Sequence, residues 1–165
     1  MITGARAPVA LHIARLLDAA GHHIVMADSL RWPVGAASNA CKTYVRLPAA
    51  NGDRALYASA IGKAVTAHRI DAVIPTCEEV FHLARIWSET AIAAHLFAPD
   101  LAMLRDAHNK FSFIGLASSL GLDVPRTLLL QSKSDIAELA APSNQLVFKP
   151  VWSVSYTHLT LPTRA

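Results

Sequence analysis

The chain of 165 residues is long enough for one well-packed domain and short for a complete two-domain enzyme, since domains typically contain roughly 100 to 150 residues. Hydrophobic residues make up 53% of it and charged residues 16%, a balance that favours a parallel sheet buried on both faces and excludes a disordered chain. The net charge of +3 comes from basic residues that are scattered without a run, so we expect no nucleic-acid partner.

The two cysteines, Cys41 and Cys77, lie far apart and have no paired spacing that would indicate a zinc site or a redox motif. No apolar run approaches the ~18 residues that a membrane span requires. The first ten residues do not have the pattern of an export signal. We therefore expect a reduced, cytoplasmic protein with no membrane partner.

The first half of the chain alternates between short apolar runs and segments with the periodicity of a helix. Such alternation predicts parallel β-α-β units with right-handed crossovers, and therefore a doubly wound parallel sheet. The predicted strands cover residues 1–3, 23–28, 44–47, 71–75 and 96–98, and the predicted helices cover residues 8–20, 53–69 and 77–90.

Ligands of a doubly wound sheet bind at the carboxyl ends of its strands, which are followed here by loops at residues 4–7, 28–31 and 75–79. In the last loop, Thr76 and Glu79 have the spacing of a capping box, in which each side chain accepts a hydrogen bond from the other residue's backbone N–H group. We therefore expect Glu79 to cap a helix. Its neighbour Glu78 faces elsewhere and is a candidate to meet a cationic or amino group of a substrate.

The second half of the chain, from Pro99 onward, follows a different pattern. Two helices come in succession before any further strand, and glycine at position 121 ends the second. The predicted elements are helices at residues 101–108 and 110–120, a strand at 124–130, a capping box formed by Ser132 and Asp135, and a final strand at 146–150.

Three signals in this half occur in a fixed order. Lys110 precedes a helix, a Gly-hydrophobic-x-hydrophobic-Pro turn occupies residues 121–125, and a strand ends at Lys149 and Pro150. In this order and spacing they resemble the start of the ATP-grasp domain in enzymes such as biotin carboxylase, carbamoyl phosphate synthetase and D-alanine-D-alanine ligase. One position departs from that pattern, because Asn109 stands where the family often has aspartate.

The loops at residues 3–8 and 74–79 look like those of the Rossmann-like preATP-grasp domain that precedes ATP-grasp in these enzymes. The implied fold class is α/β, with a Rossmann-like doubly wound parallel sheet, a helical linker and a truncated ATP-grasp subdomain. The tail departs from the family, in which a strand and a glycine-rich loop would follow, and we interpret it as artefactual sequence without fixed packing. The implied parts are the preATP-grasp domain at 1–98, the linker at 99–125, the beginning of the ATP-grasp domain at 126–152 and the tail at 153–165.

The resemblance implies an ATP-dependent carboxylate ligase, in which ATP and Mg²⁺ phosphorylate a small-molecule carboxylate and an amine or another nucleophile displaces the phosphate. Lys149 and Lys110 are the candidate nucleotide contacts, because cations neutralise the charge of the phosphates. In the family the magnesium-binding carboxylates and the adenine-binding hinge lie beyond the matching residues, so no metal ligand is predicted. We expect the chain to be an inactive N-terminal fragment of such an enzyme.

Arg6, Thr76 and Glu78 are the candidate substrate contacts, since they lie in loops at strand ends. Cys77 is interpreted as a small buried thiol, because no histidine is placed to activate it.

Two alternatives stay open. Asp28 follows Gly4 by 24 residues, near the ~20-residue interval at which a dinucleotide-binding fold places its ribose-binding acid, and this spacing indicates an NAD(P)-binding oxidoreductase. Against it, Gly4 has no partner glycines, and Arg6 and Pro8 would block the approach of the backbone to a pyrophosphate. The other alternative is a non-catalytic module that binds a small ligand.

Overall fold

The computed structural model describes residues 1–138 and 146–152. The tail at 153–165, which we predicted to lack fixed packing, lies outside the described residues. The chain divides into two compact units, Met1–Leu101 and Ala102–Ala165. The division of the sequence into four parts stays a prediction.

Five short strands form the centre of the first unit. Three of them, β1 (Ile2–Thr3), β2 (Val25–Asp28) and β3 (Thr43–Arg46), form one parallel sheet in that order. The other two, β4 (Ala72–Val73) and β5 (His95–Leu96), pair in parallel with each other.

A parallel bridge between Ile2 and Ile74 joins these two groups of strands. The Thr3 N–H group donates to the Ile74 carbonyl oxygen at 3.0 Å, and the Ile74 N–H group donates to the Met1 carbonyl oxygen at 2.8 Å. The strand order is therefore 3-2-1-4-5, and the direction of the order reverses between β1 and β4. The predicted doubly wound parallel sheet is confirmed.

Three helices cover the two faces of this sheet, α1 (Pro8–Ala19), α2 (Arg54–Ala67) and α3 (Glu79–Glu89). Side chains of successive strand residues point to opposite faces, and the buried residues accordingly separate into two clusters. One cluster joins Val25 and Ala27 to α2 and α3, and the other joins Ile2 and Met26 to α1.

A short 3₁₀ helix at Val34–Ala37 lies between β2 and β3. The helices that follow β5 are α4 (Leu101–His108), α5 (Lys110–Ser119) and α6 (Lys133–Glu138). Asn109 caps α5, since its side chain accepts hydrogen bonds from the Phe111 and Ser112 N–H groups, each at 3.0 Å. The predicted capping box of α6 is present. The Asp135 N–H group donates to Ser132 Oγ at 3.2 Å, and the Ser132 N–H group donates to Asp135 Oδ2 at 3.1 Å.

Two predicted strands are absent: residues 124–130 and 146–150 have no strand structure. The apolar runs favour an extended backbone, but a strand also needs a partner for its N–H and C=O groups, and an isolated pair of strands is only marginally stable. No strand occurs among the described residues of the second unit. No helix in the described part of the chain is both long and apolar enough to cross a membrane.

Candidate functional site

The candidate site lies where the strand order reverses, at the carboxyl ends of β1 and β4. Here the loop after β1 approaches the loop after β4 closely: a Cβ atom added to Gly4 would lie 2.5 Å from Thr76 Oγ1 and 2.9 Å from Glu79 Oε1. Gly4 also has a φ of +72°, which favours glycine. Glycine at this position therefore allows the two loops to meet.

The predicted capping box at Thr76 and Glu79 is only half formed, and in this the prediction was wrong. Glu79 Oε1 does accept from the Thr76 N–H group at 3.2 Å. The Thr76 hydroxyl, however, donates to the Thr3 carbonyl oxygen at 2.7 Å, because that carbonyl lies at the end of β1 and needs a partner. Thr76 thus joins two strand ends and does not cap α3.

Glu79 is held by three donors that all bind the same oxygen. Besides the Thr76 N–H group, Oε1 accepts from the Thr3 hydroxyl at 2.7 Å and from the Cys77 N–H group at 3.3 Å. Within the described residues, no hydrogen bond or ion pair reaches Glu79 Oε2. The carboxylate is therefore oriented through one oxygen only.

Arg6, a predicted substrate contact, forms an ion pair with Asp28 at the end of β2. Its Nε donates to Asp28 Oδ2 at 3.1 Å, its Nη2 donates to Oδ1, and its backbone N–H group donates to Oδ2 at 2.9 Å. The Leu30 N–H group donates to Oδ1 at 3.1 Å, so both oxygens are occupied. The guanidinium of Arg6 is about half exposed, whereas the Asp28 side chain is fully buried.

The surroundings of Asp28 favour the ionised form of its carboxyl group. Burial alone would raise its pKa, but the hydrogen bonds from Arg6 and from the Leu30 backbone outweigh burial, and the pKa lies below its ordinary value. The same hydrogen bond raises the pKa of Arg6. Asp28 ends β2 and Arg6 lies in the loop after the neighbouring strand β1, but their 22-residue separation gave no local signal of the pairing.

A small cavity of about 30 Å³ lies beside these residues, and its wall includes Thr3, Arg6, Asp28, Tyr57 and Glu79. Tyr57 comes from α2 and is only 3% exposed. Burial first, and then the negative charges of Glu79 and Asp28, raise the pKa of its phenol. The sequence indicated Tyr57 only as part of an apolar helix, so its place in the site was missed.

The other two residues of the loop after β4 differ in exposure. Glu78 is exposed and makes no capping hydrogen bond at the start of α3. Cys77 is partly buried, and burial together with the charge of Glu79 raises the pKa of its thiol, so it is not activated as a nucleophile.

The two predicted nucleotide contacts lie in the second unit. The Lys110 N–H group donates to the Val151 carbonyl oxygen at 3.1 Å, which brings the start of α5 beside the segment that contains Lys149. The rings of His108 and Trp152 lie 6.0 Å apart at the same place. The side chain of Lys149 is exposed. No group of three or more His, Cys, Asp or Glu side chains that could hold a metal ion occurs in residues 1–138 and 146–152.

No protein-family model and no curated protein sequence matches the chain. Solved structures do match it. The biotin carboxylase domain of a single-chain bacterial carboxylase is 23% identical, with a TM-score of 0.59 over 87% of this chain. The L-amino acid ligase from Bacillus licheniformis is 13% identical, with a TM-score of 0.58 over 87% of this chain. Both are ATP-grasp enzymes that contain a preATP-grasp domain.

The chain has a preATP-grasp fold. The resemblance that the sequence motifs indicated is thereby confirmed for the fold. The chain spans 34% of the length of the carboxylase domain and 41% of the length of the ligase.

Within the preATP-grasp fold, the geometry of Asp28 weighs against the dinucleotide-binding alternative. A ribose-binding acid must present its oxygens to the ligand. Here both oxygens accept hydrogen bonds from the protein, and the side chain is buried.

Proposed function

We propose that the chain provides the preATP-grasp domain, and the beginning of the ATP-binding domain, of an ATP-dependent carboxylate ligase. The fold match over 87% of the chain with two ATP-grasp enzymes carries the proposal. In such a ligase, ATP phosphorylates a small-molecule carboxylate, and an amine or another nucleophile displaces the phosphate. The position of the substrate is proposed at the carboxyl ends of β1 and β4, where the strand order reverses.

Lys149 and Lys110 are the proposed nucleotide contacts. The hydrogen bond from the Lys110 N–H group to the Val151 carbonyl oxygen supports this assignment, because it brings both lysines to one end of α5. Two cations there would attract the phosphates, and α5 adds the positive end of its dipole. Bound Mg²⁺ would neutralise further charge on the phosphates.

We propose that the chain by itself does not hydrolyse ATP. Phosphoryl transfer depends on cations and metal-bound carboxylates that are placed around the phosphates at the same time. The chain spans about a third to two fifths of the ATP-grasp enzymes that it matches. The proposal therefore assigns catalysis to a longer parent protein.

Calorimetric titration with Mg²⁺ and ATP tests the proposal on two lengths of the protein. One is the 165-residue chain, and the other continues beyond Trp152 with the genomic sequence. We expect weak binding by the short chain and clear binding by the long one. Lys149→Ala in the long protein should weaken binding about 10- to 100-fold, since one charged hydrogen bond contributes roughly 1.5 to 3 kcal/mol.

Lys133→Ala is the matched control, because Lys133 is an exposed lysine of α6 outside the proposed contact. It should leave ATP binding unchanged. Tight binding by the short chain, or equal affinities of the parent and Lys149→Ala in the long protein, would contradict the proposal.

A further inference from the structure

The cavity beside Glu79 contains two polar groups for which folding provides no partner. Glu79 Oε2 is one, because all three donors to this carboxylate bind Oε1. The Tyr57 hydroxyl is the other. Tyr57 is 3% exposed and lines the cavity, yet no described residue forms a hydrogen bond with its hydroxyl. No fully buried side-chain nitrogen or oxygen atom of the described residues lacks a partner, so both groups are open to the cavity, where water or a ligand can supply the missing hydrogen bonds.

The charge of the cavity wall favours a cation. Its charged residues are Arg6, Asp28 and Glu79, and the first two neutralise each other in an ion pair. One negative charge remains, on Glu79, and within the described residues no cation pairs with it. An anion would be repelled here, whereas a cation would restore neutrality.

The chemistry of the cavity wall restricts the kind of cation. A volume of about 30 Å³ is enough for a water molecule, and an ammonium group has about the same size. A metal ion is disfavoured, because the described residues contain no cluster of three or more metal-ligating side chains. An ammonium group has three N–H donors, and it can use both a carboxylate oxygen and a phenol oxygen as acceptors.

We propose that this cavity binds the primary ammonium group of an amine-bearing substrate, with Glu79 Oε2 as its counter-ion and the Tyr57 hydroxyl as a hydrogen-bond acceptor. The description of the ligand as a substrate rests on the proposed function, but the binding itself does not. The raised pKa of Tyr57 is consistent with this role, since it keeps the phenol neutral beside the carboxylate. Glu79 thus takes the role that the sequence suggested for Glu78, whose side chain is exposed.

Amide chemical shifts measured on the 165-residue chain during titration test this proposal. The probe is ethanolamine, and ethylene glycol is the matched neutral compound of nearly the same shape. We expect saturable shifts of the Thr76 and Cys77 amide signals with ethanolamine, because both N–H groups donate to Glu79. Ethylene glycol should leave them unchanged. Equal shifts with both compounds, or no shifts with ethanolamine, would overturn the proposal.

Variants then separate a charge effect from a structural one. Glu79→Gln keeps an amide oxygen that can accept the three hydrogen bonds at Oε1 but removes the charge, and it should weaken ethanolamine binding at least about tenfold. Tyr57→Phe removes only the hydroxyl and should weaken binding about three- to tenfold. Glu78→Gln is the control and should bind like the parent. Unchanged affinity in both Glu79→Gln and Tyr57→Phe would refute the assignment.

The ammonium site and the ligase function are tested by separate measurements. If ethanolamine binds as expected while the long protein does not bind ATP, the result supports the ammonium site and contradicts the ligase function. If ATP binds and ethanolamine does not, the ammonium site alone is refuted.

Discussion

At the level of single residues, Gly4 determines whether the loop after β1 can approach the loop after β4. Its φ of +72° lies in the region where an L side chain costs roughly 1 to 2 kcal/mol. Its Cα also faces Thr76 and Glu79 at a distance that leaves no space for a methyl group. Backbone strain and steric overlap are therefore combined at this one position.

Gly4→Ala should lower the free energy of unfolding by roughly 2 to 5 kcal/mol, since overpacking adds about 1 to 3 kcal/mol to the backbone strain. Gly21→Ala is the control. Gly21 has a φ of +87°, but an added Cβ would meet no atom within 4 Å, so only the strain of roughly 1 to 2 kcal/mol applies. Urea unfolding of both variants measures the difference. Equal losses would show that the loops can move apart without cost.

At the level of elements, the ion pair of Arg6 and Asp28 joins the end of β2 to the loop that leads into α1. Arg6 lies two positions before Pro8, the first residue of that helix. Since the pKa of Asp28 is lowered in the folded protein, its ionised form stabilises the fold. This stabilisation is fully present above the ordinary pKa of 3.8 and is lost as the pH falls through the lower pKa of the folded state.

Asp28→Asn should therefore reduce stability by roughly 1 to 3 kcal/mol at neutral pH, a range that allows for solvent screening at the half-exposed Arg6. The difference between parent and variant should shrink as the pH falls below 3.8 and through the lower pKa of the folded state, where the parent also loses the charge. Thermal unfolding of the parent and of Asp28→Asn, from neutral pH to below 3.8, measures this difference in stability. Glu89→Gln, which removes an exposed partner of Arg85, is the control with little expected effect. A constant difference at all pH values would contradict the role of ionisation.

At the level of the whole molecule, the hydrophobic core that the described residues form lies in the first unit. Both clusters of buried residues, with the apolar residues packed against them, lie within residues 1–96. The strands that form the sheet lie there as well. Burial of apolar surface is the main driving force of folding. Because the first unit contains both apolar clusters and the sheet, we expect it to fold as a separate chain.

Residues 1–101, produced as a separate chain, should unfold cooperatively in urea. A second fragment of residues 1–90 is the control, because it lacks β5 and the Ala94 carbonyl oxygen that accepts from Trp87 Nε1 at 2.9 Å. That fragment should be clearly less stable. Circular dichroism measured during urea titration compares the two. Failure of the longer fragment to unfold cooperatively would mean that its stability depends on later residues.

The sequence by itself determined the features that depend on local chemistry. Helical periodicity and the terminal residues of each helix predicted the bounds of α1 to α5 to within two residues, and Ser132 and Asp135 predicted the cap of α6. The alternation of strands and helices predicted the parallel sheet, because such a chain has few other ways to bury its apolar strands. The sequence therefore predicted a site at the strand ends where the candidate site of the structure lies.

Only the tertiary structure decided which side chains meet at that edge. The bridge from Ile2 to Ile74 and the pairing of Arg6 with Asp28 join residues far apart in sequence, and no local pattern records them. The same is true of Tyr57, which belongs to α2 and lines the cavity. It is also true of the strands predicted at 124–130 and 146–150, which pair with no strand in the described part of the chain. Periodicity and propensity are properties of one segment, whereas pairing is a property of two.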